Sequence, residues 1–143
     1  MSYITLAEAK QYLGDIYESA YINITTELVD DTILQDDIDG ITGVIDAYTK
    51  ELYDKVITDT QSLSILRSIS EQLLIAKSYE RFDGSDVPEW VRERYDKGIF
   101  RLKDIQKGIM KLPGETQSPR DSGFYYSFKS AITDRDWETF RKI

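Results

Sequence analysis

Residues 62–82 read SLSILRSISEQLLIAKSYERF, and within them Leu63, Leu66, Ile69, Leu73 and Ala76 recur at helical spacing. Ile65, Leu74, Ile75 and Tyr79 widen that stripe well past one narrow seam, which predicts a central helix packed on several sides. Residues 87–112 then repeat Val91, Tyr95, Ile99, Leu102, Ile105, Ile109 and Leu112 at steps of three and four, one face of a second long amphipathic helix. Gly84 in the intervening Asp83-Gly-Ser-Asp86 can stop the first helix, and Asp86-x-Pro88-Glu89 offers the second a cap and a first-turn proline. So short a connection folds two helices back as an antiparallel pair.

Working toward the N-terminus, Leu34, Ile38, Ile41, Ile45, Tyr48 and Leu52 alternate steps of four and three, predicting a helix of about 22 residues from Asp30. Asp30 and Asp31 suit the positive end of its dipole, while Gly40 and Gly43 would admit a close neighbour. Residues 54–60 are read as the loop into the central helix. Thr5-x-x-Glu8 is a capping box that opens a short helix with Leu6, Ala9 and Leu13, closed by Gly14. Residues 15–27 mix Ile16, Tyr17, Tyr21, Ile22 and Ile24 with polar residues in no clean period, an ordered connection with one turn of helix.

The resulting expectation is an all-α fold: a small helical bundle with two long antiparallel helices and an extended C-terminal arm. Residues 1–112 form the helical core domain. Residues 113–123, PGETQSPRDSG, have the composition of a flexible linker. Residues 124–143 form an aromatic C-terminal arm, in which Phe124, Tyr125, Tyr126, Phe128, Trp137 and Phe140 must bury their surface on the core or on another subunit.

At 143 residues the chain is one ordinary domain, long enough to bury about two thirds of its unfolded surface. It has no cysteine and no histidine, so disulfides, thiolate nucleophiles, imidazole bases and nearly all structural zinc sites are excluded. The opening MSYITLAEAK has neither a basic n-region nor an apolar h-region, and no apolar run approaches the ~20 residues that span a bilayer. These features point to a soluble protein made in a cytoplasm, without a membrane partner. Residues 1–60 hold 13 acids and 3 bases, and residues 61–143 hold 13 acids and 15 bases. Such polarity suits head-to-tail association or a directional partner surface, although a solvated acidic face would produce it too.

Three patterns invite a chemical reading. Residues 35–46 resemble a calcium loop with Gly40 at its sixth position, but Gln35, Thr42 and Asp46 stand where ligands are needed and helical spacing runs through the segment. Glu51-x-x-Asp54 and Glu93-x-x-Asp96 are carboxylate pairs of the kind that hold magnesium in all-α nucleotide pyrophosphohydrolases, yet no Glu-x-x-Glu accompanies them. Lys103, Lys107 and Lys111 recur at steps of four with Arg94 and Arg101 nearby, either a DNA-channel face that tracks a phosphate backbone or the solvent face of a helix supported by Glu93 and Lys97. No metal or cofactor is called for by these patterns.

The order of motifs also resembles a family. Ile41-Thr-Gly-Val-Ile-Asp-Ala-Tyr48, then Leu63-x-x-Leu66-x-x-Ile69, Leu74-Ile-Ala-x-x-Tyr79-x-Arg81 and Val91-Arg-Glu-Arg94-Tyr95 through Leu112 are similar to the Mu-like phage head-tail joining (connector, head completion) proteins. The closing Thr133-Asp-Arg-Asp136 with Phe140 resembles that family's Ser-Arg-Asp…Phe ending, while residues 53–60 lack its Tyr-Pro-x-Pro segment. The resemblance implies a non-enzymatic structural subunit of a virion's neck region, made in the host bacterial cytoplasm. Its implied partners are further copies in a dodecameric ring, the portal, tail or stopper proteins, and double-stranded DNA passing without specific contact. The aromatic arm would supply the intersubunit or portal interface. Two other readings stand beside it: a small acidic adaptor or antitoxin-like binding protein, and a magnesium-dependent nucleotide pyrophosphohydrolase.

Overall fold

The computed structural model describes residues 2–84 and 86–117. They form an all-α bundle of five helices: α1 (Leu6–Leu13), α2 (Asp15–Ala20), α3 (Asp31–Thr49), α4 (Thr60–Asp83) and α5 (Glu89–Gln106). The residues that begin each helix explain its position. Thr5 and Glu8 close a reciprocal capping box on α1, Asp30 accepts the Thr32 N–H at the start of α3, and Asp59 accepts the Ser62 N–H at the start of α4. Gly84 ends α4 with φ 59°, in the left-handed region that glycine adopts without steric cost.

α4 is the axis of the core, burying Leu66, Ile69, Leu73, Leu74 and Ile75. It lies antiparallel to α5. Gly98 of α5 sits so close to Leu73 and Gln72 that a Cβ there would meet Leu73 Cδ2 at 3.2 Å and Gln72 Cβ at 3.3 Å, and Arg101 donates to Ser68 and Gln72. α3 also runs antiparallel to α4, since its early residue Asp37 meets Arg81 late in α4. Ile38, Ile41 and Ile45 from α3, with Val91, Leu102 and Ile105 from α5, complete the main layer, and α1 contributes Ala9 and Leu13.

Several expectations change in detail. The apolar spacing of α5 continues to Leu112, but the helix stops at Gln106 and Gly108 turns the chain with φ 74°. Leu112 nevertheless remains buried, its N–H donated to the Tyr53 hydroxyl at 3.0 Å. Pro88 occupies the N-cap of α5, one place earlier than the first turn, and no side chain caps that end. α3 ends at Thr49, short of Leu52. Gly40 and Gly43 face open space; the close approach expected of them occurs at Gly98.

Residues 113–117, expected to begin a flexible linker, pack on the start of α4. Ser62 donates its hydroxyl to the Pro113 carbonyl, and Glu115 accepts the backbone N–H groups of Thr58 and Asp59 at 2.8 and 2.9 Å. The remainder of that linker and the whole arm, with Phe124, Tyr125, Tyr126, Phe128, Trp137 and Phe140, lie outside the described residues.

Candidate interaction surfaces

The connection between α2 and α3 holds the least expected surface. Asn23 organises it: its side-chain oxygen accepts the N–H groups of Thr25 and Thr26, its backbone carbonyl accepts the Glu27 N–H, and its own N–H reaches the Leu28 carbonyl. Glu27 takes a left-handed backbone, φ 57°, and Ile22 pairs with Val29 as an antiparallel bridge. Asp30 closes the loop by donating its N–H to the Tyr21 carbonyl at 2.8 Å. The result is an ordered tip whose apolar side chains point outward, with Ile24 96% and Leu28 69% exposed and Ile22 and Val29 also on the surface.

The root of that tip is the opposite environment. Tyr21 is fully buried, and its hydroxyl meets Asp37 and Ser78, each at 2.9 Å. Asp37 in turn accepts two charge-assisted hydrogen bonds from Arg81, at 2.6 and 2.8 Å. Among the described residues every buried side-chain nitrogen and oxygen has a partner. Burial raises the Tyr21 phenol well above its ordinary pKa, with the Asp37 carboxylate adding to the effect. Tyr17 and Lys10 both hydrogen-bond Asp31 and hold its carboxyl below the usual range, tying α1 and α2 to the start of α3.

A groove of about 800 Å³ opens between α3, the second half of α4 and the first half of α5. Ile41, Val44, Leu73, Ala76, Val87 and Tyr95 contribute its apolar lining, and Asp36, Lys77, Glu80 and Asp96 its charge. On the outer side, Trp90 packs edge-on against Tyr79 with ring centroids 5.5 Å apart, and the Arg94 guanidinium lies over the Trp90 ring.

Of the three lysines expected to form one stripe, Lys103 and Lys107 stand one turn apart at the end of α5, and Lys111 falls outside the helix. Lys103 lies in α5, Lys107 is its C-cap, and Lys111 follows the Gly108 turn, although all three are exposed. Of the two arginines read with them, Arg94 reaches the Tyr12 hydroxyl and Arg101 turns inward, where burial lowers its pKa. The carboxylate pairs are separated as well, with Glu93 and Asp96 on α5 and Glu51 in the turn after α3. Among the described residues no three acids gather where a metal ion could be held, and no helix is long and apolar enough to cross a membrane.

Comparison with protein families, with curated proteins and with solved structures finds no match in any of the three. The chain is therefore placed by its own architecture, an all-α bundle with an exposed aliphatic tip. Sequence reading passed over that tip because Ile22-Asn-Ile-Thr-Thr-Glu-Leu-Val29 has neither helical nor strand periodicity. The available signal was Asn23, a residue that closes turns on its own side chain, set between Ile22 and Ile24.

Proposed function

We propose that the chain is a non-catalytic structural subunit of a tailed phage or prophage-derived particle, the head-tail connector that its motif order resembles. In this role copies form a ring on the portal, in the virion neck, join it to tail or stopper proteins and surround passing DNA. The observation that supports an assembly role is the placement of large aliphatic side chains in solvent at both ends of a well-packed bundle. Ile24 and Leu28 are at one end, and Val56 (74% exposed) and Ile109 (68%) are at the other. Exposed apolar side chains that cluster, as Ile22, Ile24, Leu28 and Val29 do in the tip, commonly mark an association surface.

Native mass of the purified chain across concentrations, alone and with the portal of the same particle, tests the proposal. A closed assembly, or a monomer that becomes a ring on the portal, is expected. A monomer or dimer indifferent to the portal overturns it. Deleting residues 124–143 is expected to leave the bundle folded and to weaken assembly.

The acidic adaptor reading is favoured by one observation, the concentration of carboxylates around the tip. It calls for a stoichiometric one-to-one or two-to-two complex with a basic protein in place of a ring.

A further inference from the structure

The topology gives the bundle two chemically different ends. α3 begins, α4 ends and α5 begins at one end, which also carries the tip; residues 15–37 and 77–90, which build most of it, hold eleven acids and two bases, and Lys10, paired with Asp31, and Arg92 and Arg94 early in α5 lie beside them. One of those bases, Arg81, is committed to Asp37. At the other end α3 finishes, α4 starts and α5 finishes, as the contacts of Tyr53 with Leu112 and of Ser62 with Pro113 require. Exposed Val56 and Ile109 stand there among Lys50, Lys55, Lys103, Lys107 and Lys111.

Among the described residues none of these five lysines is ion-paired. Residues 46–62 and 100–117, which build that end, hold six acids and six bases, so it is mixed in charge where the other end is acidic. Asp59 caps α4, Glu115 holds two backbone N–H groups and Asp46 accepts from Tyr3, while Glu51, Asp54 and Asp104 share the end with the lysines. Part of the charge separation simply complements the helix dipoles, as with Asp30, Asp31 and Lys107. That effect does not place Ile24 or Ile109 in solvent.

We propose that the acidic end, with the 22–29 tip as its anchor, docks on the lysine-bearing end of a second copy. This rests on reading the chain as a self-assembling subunit and deepens it by naming the surfaces. Tip on tip would set carboxylates against carboxylates, so a two-fold contact through this end is disfavoured. Tip on lysine end avoids that repulsion, sets the acidic face beside five lysines that have no ion pair among the described residues, and buries aliphatic surface on both sides. It is a heterologous contact, which builds a ring where the rotation closes and a filament where it does not.

The full-length chain is followed by sedimentation velocity over a concentration series, at low and at high salt. The tip variant combines Ile24→Asp with Leu28→Asp; the lysine-end variant combines Lys111→Glu with Ile109→Asp. All four positions are exposed, so both variants should keep the thermal midpoint of the wild type.

Wild type is expected to associate beyond the dimer, with affinity falling roughly tenfold or more as salt is raised. Each variant alone should sediment as a monomer. Their equimolar mixture should give dimers and nothing larger, because one intact tip and one intact lysine end remain. A monomeric wild type, variants that assemble normally, or a mixture that stays monomeric each overturns the proposal. Assembly that survives in both variants but is lost on deleting residues 124–143 overturns it in favour of the arm while leaving the connector role standing. A chain that is monomeric alone and forms a ring on the portal does the same.

Discussion

Tyr21 and Ile24 stand three residues apart in one connection, yet the first is fully buried and the second 96% exposed. They are ordered by different means. Tyr21 is held by core packing and by hydrogen bonds to Asp37 and Ser78, with Arg81 bound in turn to Asp37. Ile24 is carried on a turn whose order comes from Asn23 and the backbone. A segment can thus present apolar side chains to solvent without being loose, provided its polar groups are satisfied locally.

The comparison is broken most severely from the root. Tyr21→Ala removes a buried ring and leaves Asp37 and Ser78 short of a partner; a loss of about 3–5 kcal/mol in chemical denaturation is expected. Asp37→Ala strands Arg81 and leaves the Tyr21 hydroxyl with Ser78 alone. Because Arg81 is partly open to water, the expected loss is smaller, about 2–3 kcal/mol.

Alkaline pH probes the same site without mutation. The Tyr21 proton is held more tightly in the folded than in the unfolded chain. Stability from this group is therefore fully present below the unfolded tyrosine pKa of about 10 and declines above it, approaching ~1.4 kcal/mol per pH unit. Tyr3, raised by burial and by Asp46, adds in the same direction. Denaturation curves from pH 9 to 11.5 should show the decline, and Tyr21→Phe should flatten it.

Changes in the tip sharpen the contrast because they leave the body intact. Asn23→Ala should speed amide hydrogen exchange at Thr25 and Thr26 roughly tenfold, with global stability changed by about 1 kcal/mol or less. Ile24→Ser should alter the stability of the unassociated chain by no more than about 0.5 kcal/mol. A large effect of Ile24→Ser on the isolated chain would mean that the tip supports the bundle and is not reserved for a partner.

The helices were largely legible in the primary sequence. Five-residue signals such as Thr5-x-x-Glu8 with Leu6 and Ala9, and the long stripe through Leu66, Ile69 and Leu73, state their own reading because helix caps and helical periodicity act over one to three turns. Boundaries were less legible where a local signal competed with the pattern. Apolar spacing carried the expected α5 to Leu112, whereas Gly108 turned the chain and left Leu112 to be buried from a different direction.

The sequence by itself determined the helical class, the antiparallel α4–α5 pair, its glycine stop at Gly84 and the uneven distribution of charge. Only the tertiary structure decided that Gly98 and not Gly40 or Gly43 sits at a helix contact, that Asp37 finds Arg81 forty-four residues away, and that residues 113–117 belong to the body. It also decided that the acids of residues 15–37 and 77–90 share one end with an aliphatic tip. Periodicity and capping depend on neighbours along the chain, whereas each of these outcomes depends on which distant segments the packed core brings together.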